Sequence, residues 1–366
     1  MRIAYCTNEL WKGGGTERVL TTKVNWLCRQ KGIEVYVIVL QDGRQPFFKL
    51  DDAVRLVELP VGTMQKKAYA EALKKALDDI DPDVTVAVSG LAVDVLPEFR
   101  WPCVMEFHYT RNFLVNFVRG IRNLRFKPLH VLKMRYLQWI LARKARKFDR
   151  FVGLTERDVE LWGHPKNMTY VHNPLSFRSE RKSDCKKKVI ISVGSWTPAK
   201  GMDRLLEAFG PLSALYPDWR VELYGSGQDE ALLKEIIRNY GMESRVTLNA
   251  PVKNIGERLV EASIYAFPSR SDGFGLVITE AMECGLPTVA MDCPCGPCEI
   301  VTSRTGIVVP NDDVDAFRTA LKRLMDDPDL RMSMGQEAVK EVARFYPDSI
   351  MPKWLDIFKG VNARHQ

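Results

Sequence analysis

Residues 267–287 read FPSRSDGFGLVITEAMECGLP and set the frame for the rest of the chain. A strand ends at Pro268, a glycine-bearing turn follows, and helical spacing begins near Gly275. The first backbone N–H groups of such a helix have no intrahelical partner and point toward any anion placed there. Gly273 and Gly275 let the backbone approach a ligand closely. Asp272 and Glu280 stand on the turn and about a turn and a half into the helix, so both carboxylates can address one ligand. Sugar and ribose hydroxyls are donors that suit them. A turn aspartate and a solvated helix glutamate would show the same spacing, and spacing alone does not choose between the two readings.

Outward from this stretch, short β-branched runs alternate with helical patterns. Before residue 175 the expected strands are Ile3–Cys6, Val35–Leu40, Val54–Leu59, Val84–Val88, Val104–Phe107, Phe151–Leu154 and Thr169–His172. After it they are Val189–Val193, Val221–Tyr224, Val246–Leu248, Ile264–Phe267, Pro287–Met291 and Gly306–Val309. Strands separated by helical stretches imply βαβ units and parallel sheets. Met202, Leu205, Leu206, Phe209, Leu212 and Leu215 share one helical face. The polar stretch Pro174–Lys188 lacks periodicity and reads as a linker, after which the βα pattern restarts. The expected domains are therefore 1–175 and 176–345. A terminal helix over 346–366 carries Ile350, Met351, Trp354, Ile357 and Phe358 on one face and is expected to return to the first domain.

A chain of 366 residues is too long for one ordinary core and suits two domains. No apolar run is long enough to span a bilayer. The start, MRIAYCTNEL, lacks the basic-then-apolar order of a signal peptide and reads as a first strand. The eight cysteines read as reduced thiols, and a cytoplasmic location is expected. Charge is uneven. Residues 1–180 hold 29 Lys and Arg against 20 Asp and Glu, whereas residues 181–366 hold 24 against 26. The first half therefore faces something anionic. Within it, residues 111–150 carry twelve basic side chains and a single acid, Asp149, interleaved with Phe113, Phe117, Phe126, Tyr136, Trp139 and Leu141. Such a mixture suits an anionic membrane surface, as a peripheral contact, or RNA; a solvated helix face is the plainer alternative.

The residues Asp272, Gly273, Phe274, Gly275, Glu280, Ala281, Met282, Gly285 and Pro287 resemble, in register, the signature of family 4 retaining glycosyltransferases, which have the GT-B architecture. That pattern places two acids with seven residues between them, around E-G-F-G and E-A-M-x-x-G-x-P. The chain departs at the first acid, where Asp272 is one methylene shorter than the usual Glu. The resemblance implies two Rossmann-like α/β domains facing across a cleft. It also implies retaining transfer of a sugar from a nucleoside diphosphate, UDP being the expected nucleotide, to an acceptor hydroxyl. The type is that of bacterial surface glycan assembly, capsule or lipopolysaccharide, with a glycan or lipid-linked glycan as acceptor. Glu280 would hold the ribose and Asp272 the donor sugar, with Gly273, Phe274, Gly275 and Leu276 forming the helix entrance against the nucleotide sugar. No metal, cofactor or nucleic acid is expected.

Three further stretches fit this reading. In VGSWTPAKGMD, Lys200 sits between a strand and a helix, where an ammonium could pair with a diphosphate; a solvated lysine is the alternative. The family has an Arg five residues before this Lys, here Ser195, so Arg270 is a candidate replacement. In NELWKGGGTER, Gly13, Gly14 and Gly15 precede a helix and resemble the family's phosphate-approaching loop; a flexible turn is the alternative. His108, in VMEFHYTRN, ends a strand, where the family places a His at the catalytic centre. Cys293, Cys295 and Cys298 form CPCGPC, whose spacing can bind zinc, yet no nearby His or Cys pair completes a tetrahedral set. A nucleotide-sugar epimerase and a non-catalytic nucleic-acid-binding protein are the rival readings. The epimerase lacks support in the Asp272–Glu280 signature, and the acidic-leaning second half argues against the nucleic-acid binder.

Overall fold

Hydrophobic runs unbroken by polar residues mark strands buried on both faces, and the strand Glu34–Leu40 buries every residue but the first. The computed structural model describes residues 1–41, 43–61, 65–120 and 126–365. Its strands form two sheets, and every pairing within them is parallel.

The first sheet contains β1 (Arg2–Cys6), β2 (Glu34–Leu40), β3 (Val54–Leu59), β4 (Val84–Ala87), β5 (Cys103–Glu106), β6 (Arg150–Gly153) and β7 (Met168–Tyr170). Their order is β3-β2-β1-β4-β5-β6-β7. The second contains β8 (Val189–Val193), β9 (Arg220–Tyr224), β10 (Val246–Asn249), β11 (Ile264–Phe267), β12 (Thr288–Asp292) and β13 (Gly306–Pro310), ordered β10-β9-β8-β11-β12-β13. Both are doubly wound, Rossmann-like α/β sheets. In each, strand order reverses once, between β1 and β4 and between β8 and β11. Crossovers leave a crevice at the carboxyl ends of the strands at such a switch point, and ligands of open α/β sheets bind there.

The chain divides into two compact units. One comprises Met1–Arg111, Tyr136–Ser176 and the chain from Phe345; the other comprises Asn112–Arg135 and Phe177–Arg344. In the first unit the core joins Tyr5, Val37, Val86 and Val104 of the sheet to Leu20 and Val24 of the helix Gly15–Leu27. Met351, Trp354 and Phe358 of the helix Pro347–Asn362 complete it. Pro347 suits that helix's first turn, where no N–H is required, and Ile350, Met351, Trp354, Phe358 and Val361 give it a buried stripe.

In the second unit the helix Met202–Leu215 buries Met202, Leu205, Leu206, Phe209 and Leu212 against β8, β9 and β11. Leu215, expected on the same face, is 67% exposed. It is the helix's last residue, and the core ends a turn before it. No helix among the described residues is long and apolar enough to cross a membrane.

Candidate donor-sugar site

The second unit's switch point is built by the loops that follow β8 and β11. They are zipped together by backbone: the N–H groups of Arg270 and Ser271 donate to the Ala199 carbonyl at 2.8 and 3.2 Å. Gly201 makes this approach workable. Its φ is 64°, and a Cβ there would overlap the Pro268 carbonyl. The helix Met202–Leu215 starts directly after it.

Lys200 and Asp272 meet across these loops as an ion pair. Burial alone would lower the Lys200 ammonium, but the Asp272 carboxylate outweighs it and raises the group above the ordinary lysine range. Lys200 is thus held across the loops by Asp272. The side chains remain 30% and 17% exposed, so a ligand can reach both. Asp272 Oδ1 also lies 3.4 Å from the Phe274 amide.

Gly275 takes φ 92°, a left-handed turn that suits glycine, and hands the chain to the helix Leu276–Glu283. The Ile278 N–H donates to the Gly275 carbonyl at 2.8 Å at this helix start. Glu280 is fully buried, which corrects the solvated-glutamate alternative. The helix Leu276–Glu283 buries all six residues from Ile278 to Glu283, because it packs against β11, β12 and the helix Pro328–Glu341. Burial first, then the Asp272 and Glu280 carboxylates, push the Tyr265 hydroxyl well above its ordinary range.

Arg270 is placed beside Lys200, but its guanidinium is held. Both η nitrogens reach Asp203 at 2.8 Å, and Nη1 also donates to the Pro198 carbonyl at 2.9 Å. A bidentate pair of this kind fixes the loop. Arg270 is thus a brace under Lys200 before it is a diphosphate ligand, and Asp203, which the sequence did not single out, is the reason. Cys293 and Cys295 are buried and Cys298 is exposed, all as free thiols. Burial pushes the Cys293 thiol up to about 12, so it packs as a small neutral group. Among the described residues no cluster of three or more His, Cys, Asp or Glu is arranged to hold a metal.

The first unit's switch point carries the other predicted residues. Gly14 caps the helix Gly15–Leu27 with an extended backbone and no side-chain cap, and Gly13 and Gly15 are exposed beside it. His108 follows β5, its side chain only 4% exposed. Four buried polar atoms on these loops have no protein hydrogen-bond partner: Asn8 Oδ1, Trp11 Nε1, His108 Nε2 and Thr110 Oγ1.

Behind His108 lies a pair that the sequence reading missed. Lys23 Nζ is 2.5 Å from Glu106 Oε2, with both side chains 1% exposed or less. Their signals were present: Glu106 precedes His108 by two residues at a strand end, and Lys23 interrupts the apolar face of a helix.

Comparison with known proteins fits this geometry. Residues 176–341 match the family described as Glycosyl transferases group 1. The amylovoran biosynthesis glycosyltransferase AmsD of Erwinia amylovora is 31% identical over 372 residues, covering 97% of this chain and 99% of that protein. In fold, the chain is similar to sucrose-phosphate synthase from Thermosynechococcus elongatus, with TM-score 0.81 and 16% identity over 99% of each chain. It is also similar to Anabaena HepE, solved with UDP and glucose, with TM-score 0.73 and 18% identity over 98% of this chain and 99% of that one. The chain belongs to the group 1 glycosyltransferases and has their GT-B fold of two parallel-sheet, Rossmann-like domains.

Proposed function

We propose that this glycosyltransferase moves a sugar from a nucleoside diphosphate, UDP by preference, to a hydroxyl of a glycan or lipid-linked glycan, with retained anomeric configuration and without a metal. The observation that carries the reading is the pairing of Lys200 with Asp272 beside the helix start after Gly275, at the switch point of the second sheet. Departure of the diphosphate builds negative charge, and fixed cations and helix N–H groups placed where charge develops stabilise it. Lys200 supplies the cation, and Gly273, Phe274, Gly275 and Leu276 supply the close-approaching backbone. Glu280 holds the ribose, Asp272 the donor sugar, and Arg270 keeps the Lys200 loop in place. In the first unit, Gly13, Gly14 and Gly15 approach phosphate and His108 lines the sugar.

A role in surface glycan assembly is supported by the name of AmsD, and UDP by the HepE complex. Contact with an anionic membrane is supported by exposed aromatics. Tyr136 and Trp139 stack at 6.0 Å with 59% and 53% exposure, and Arg143 lies 4.8 Å over Trp139. The basic residues Arg122 and Arg125 of the same segment, and the side chains of Phe117 and Arg119, lie outside the described residues.

The test is a donor panel. UDP-glucose, UDP-galactose, UDP-N-acetylglucosamine and GDP-mannose are each offered with and without excess EDTA, and nucleotide release is followed. Turnover of a UDP-sugar that survives EDTA supports the reading. Reversible loss with EDTA removes metal independence, and turnover confined to GDP-mannose removes UDP.

A further inference from the structure

The buried Lys23–Glu106 pair has no role in the site as built so far. Burying a lysine and a glutamate together is costly, and replacing such a pair by apolar side chains is often neutral or stabilising. Its location suggests what it does. Glu106 is the last residue of β5 and His108 stands two positions on, so the two side chains leave the strand on the same side. The Glu106 oxygens are divided between Lys23 and His108. Oε2 receives Lys23 at 2.5 Å, while Oε1 lies 3.1 Å from His108 Nε2, off the axis of the ring N–H. Lys23 is itself held from behind, its Nζ 3.2 Å from the ring centroid of Trp354 and 5.4 Å from that of Tyr5. The chain of contacts thus runs from the helix Pro347–Asn362 through Lys23 and Glu106 to His108. Tyr5, Lys23 and His108 are the titratable groups that act on Glu106. Burial alone would raise the Glu106 carboxyl, but Lys23 and then His108 outweigh it and hold the group at about 2.

We propose that Glu106 is a positioning residue for His108, orienting the imidazole with Nε2 toward the carboxylate and Nδ1 away from it, and that Lys23, seated on Trp354, fixes Glu106 for that task. This rests on the reading that His108 lines the donor sugar. A carboxylate 3.1 Å from one ring nitrogen favours, by its charge, the tautomer that carries the proton on that nitrogen, which leaves Nδ1 as the atom for the sugar. The two Glu106 oxygens face Lys23 and His108, so its effect passes through His108.

The experiment uses the full chain. In the wild-type protein, ¹⁵N NMR of the imidazoles, with His108 assigned by loss of its signals in His108→Ala, reads the tautomer directly. The proposal expects Nε2 protonated at neutral pH, and a dominant Nδ1–H tautomer overturns it. Lys23→Met/Glu106→Gln then removes both charges together and leaves no unpaired ion in the core. The proposal expects a loss of the Nε2–H preference and a fall in kcat for the UDP-sugar turned over of roughly 10- to 100-fold, as misplacement of a site group gives. Its KM is expected to stay within about twofold, a uniform-binding interaction not being involved. A double variant with wild-type kcat and an unchanged His108 spectrum overturns the proposal and makes the pair structural. Failure of the underlying reading looks different: His108→Ala would itself turn over normally.

Discussion

At Glu280 the structure changes what a mutation means. The carboxylate is buried, so Glu280→Ala removes packing as well as a ligand contact. The expected cost is about 1–3 kcal/mol, visible as a lower melting temperature, alongside lost donor turnover. Glu280→Gln keeps the shape and separates the two effects: the protein should melt near the parent while UDP binding weakens, read by titration calorimetry. Unchanged UDP affinity in Glu280→Gln would remove the ribose assignment. Asp272 allows the opposite experiment. Asp272→Glu installs the acid of the signature that this stretch resembles and lengthens its reach by one methylene. It should remain active, whereas an inactive variant would show that Lys200 requires the shorter side chain. Spacing alone leaves Lys200, Asp272 and Glu280 open to plainer readings, and it is the resemblance to the family signature that singles them out. Neither is enough to show that Arg270 is braced by Asp203, because a partner 67 residues away has no local signature.

Glu106 also makes stability depend on pH. Its carboxyl is depressed from 4.5 to about 2 in the folded chain, by Lys23 and His108 against the effect of burial. The stability it contributes is complete above the unfolded value of 4.5 and is lost as pH falls toward 2. Denaturant midpoints should therefore drop between these pH values, and the drop should shrink in Lys23→Met/Glu106→Gln. An identical acid profile in that variant would show that other carboxylates set it.

Among the elements, two helices show how far periodicity reaches. The helix Pro347–Asn362 is legible because its apolar stripe needs a partner, and Trp354 is 1% exposed in the first unit's core. Trp354→Ala should cost about 3–5 kcal/mol, measured by denaturant unfolding, since it opens a large cavity and unseats Lys23. A loss under about 1 kcal/mol would mean that this helix is dispensable to the core. The helix Lys127–Ala145 is less legible. Leu129, Leu132, Tyr136 and Trp139 would ordinarily read as core, yet all are exposed at 53% or more. Lys133, Arg135 and Arg143 are exposed among them. Binding to phosphatidylglycerol vesicles at low salt, lost at high salt, is expected. Each neutralised basic residue should weaken binding by about 1 kcal/mol at most. A wild-type protein that ignores such vesicles at low salt would assign this face elsewhere.

For the whole molecule, alternation of strand and helix is a repeating signal, and it carries the two parallel sheets with strand limits displaced by a residue or two. Strand order is a different matter. It depends on which crossovers pass over which face, and nothing in a run of valines and isoleucines encodes that. The same limit explains the missed Lys23–Glu106 pair, whose members are 83 residues apart and meet only once the sheet and the helix Gly15–Leu27 pack.

The central claim is that Lys200, beside Asp272, meets the charge of a departing nucleoside diphosphate. It is tested most directly by nucleotide release from UDP-glucose, UDP-galactose, UDP-N-acetylglucosamine and GDP-mannose, compared between wild type and Lys200→Met at matched folded concentration. The account predicts that the wild type turns over at least one of these donors. It predicts that Lys200→Met does so about 10²- to 10³-fold more slowly, with the melting temperature little changed. Equal turnover by the two proteins would contradict it.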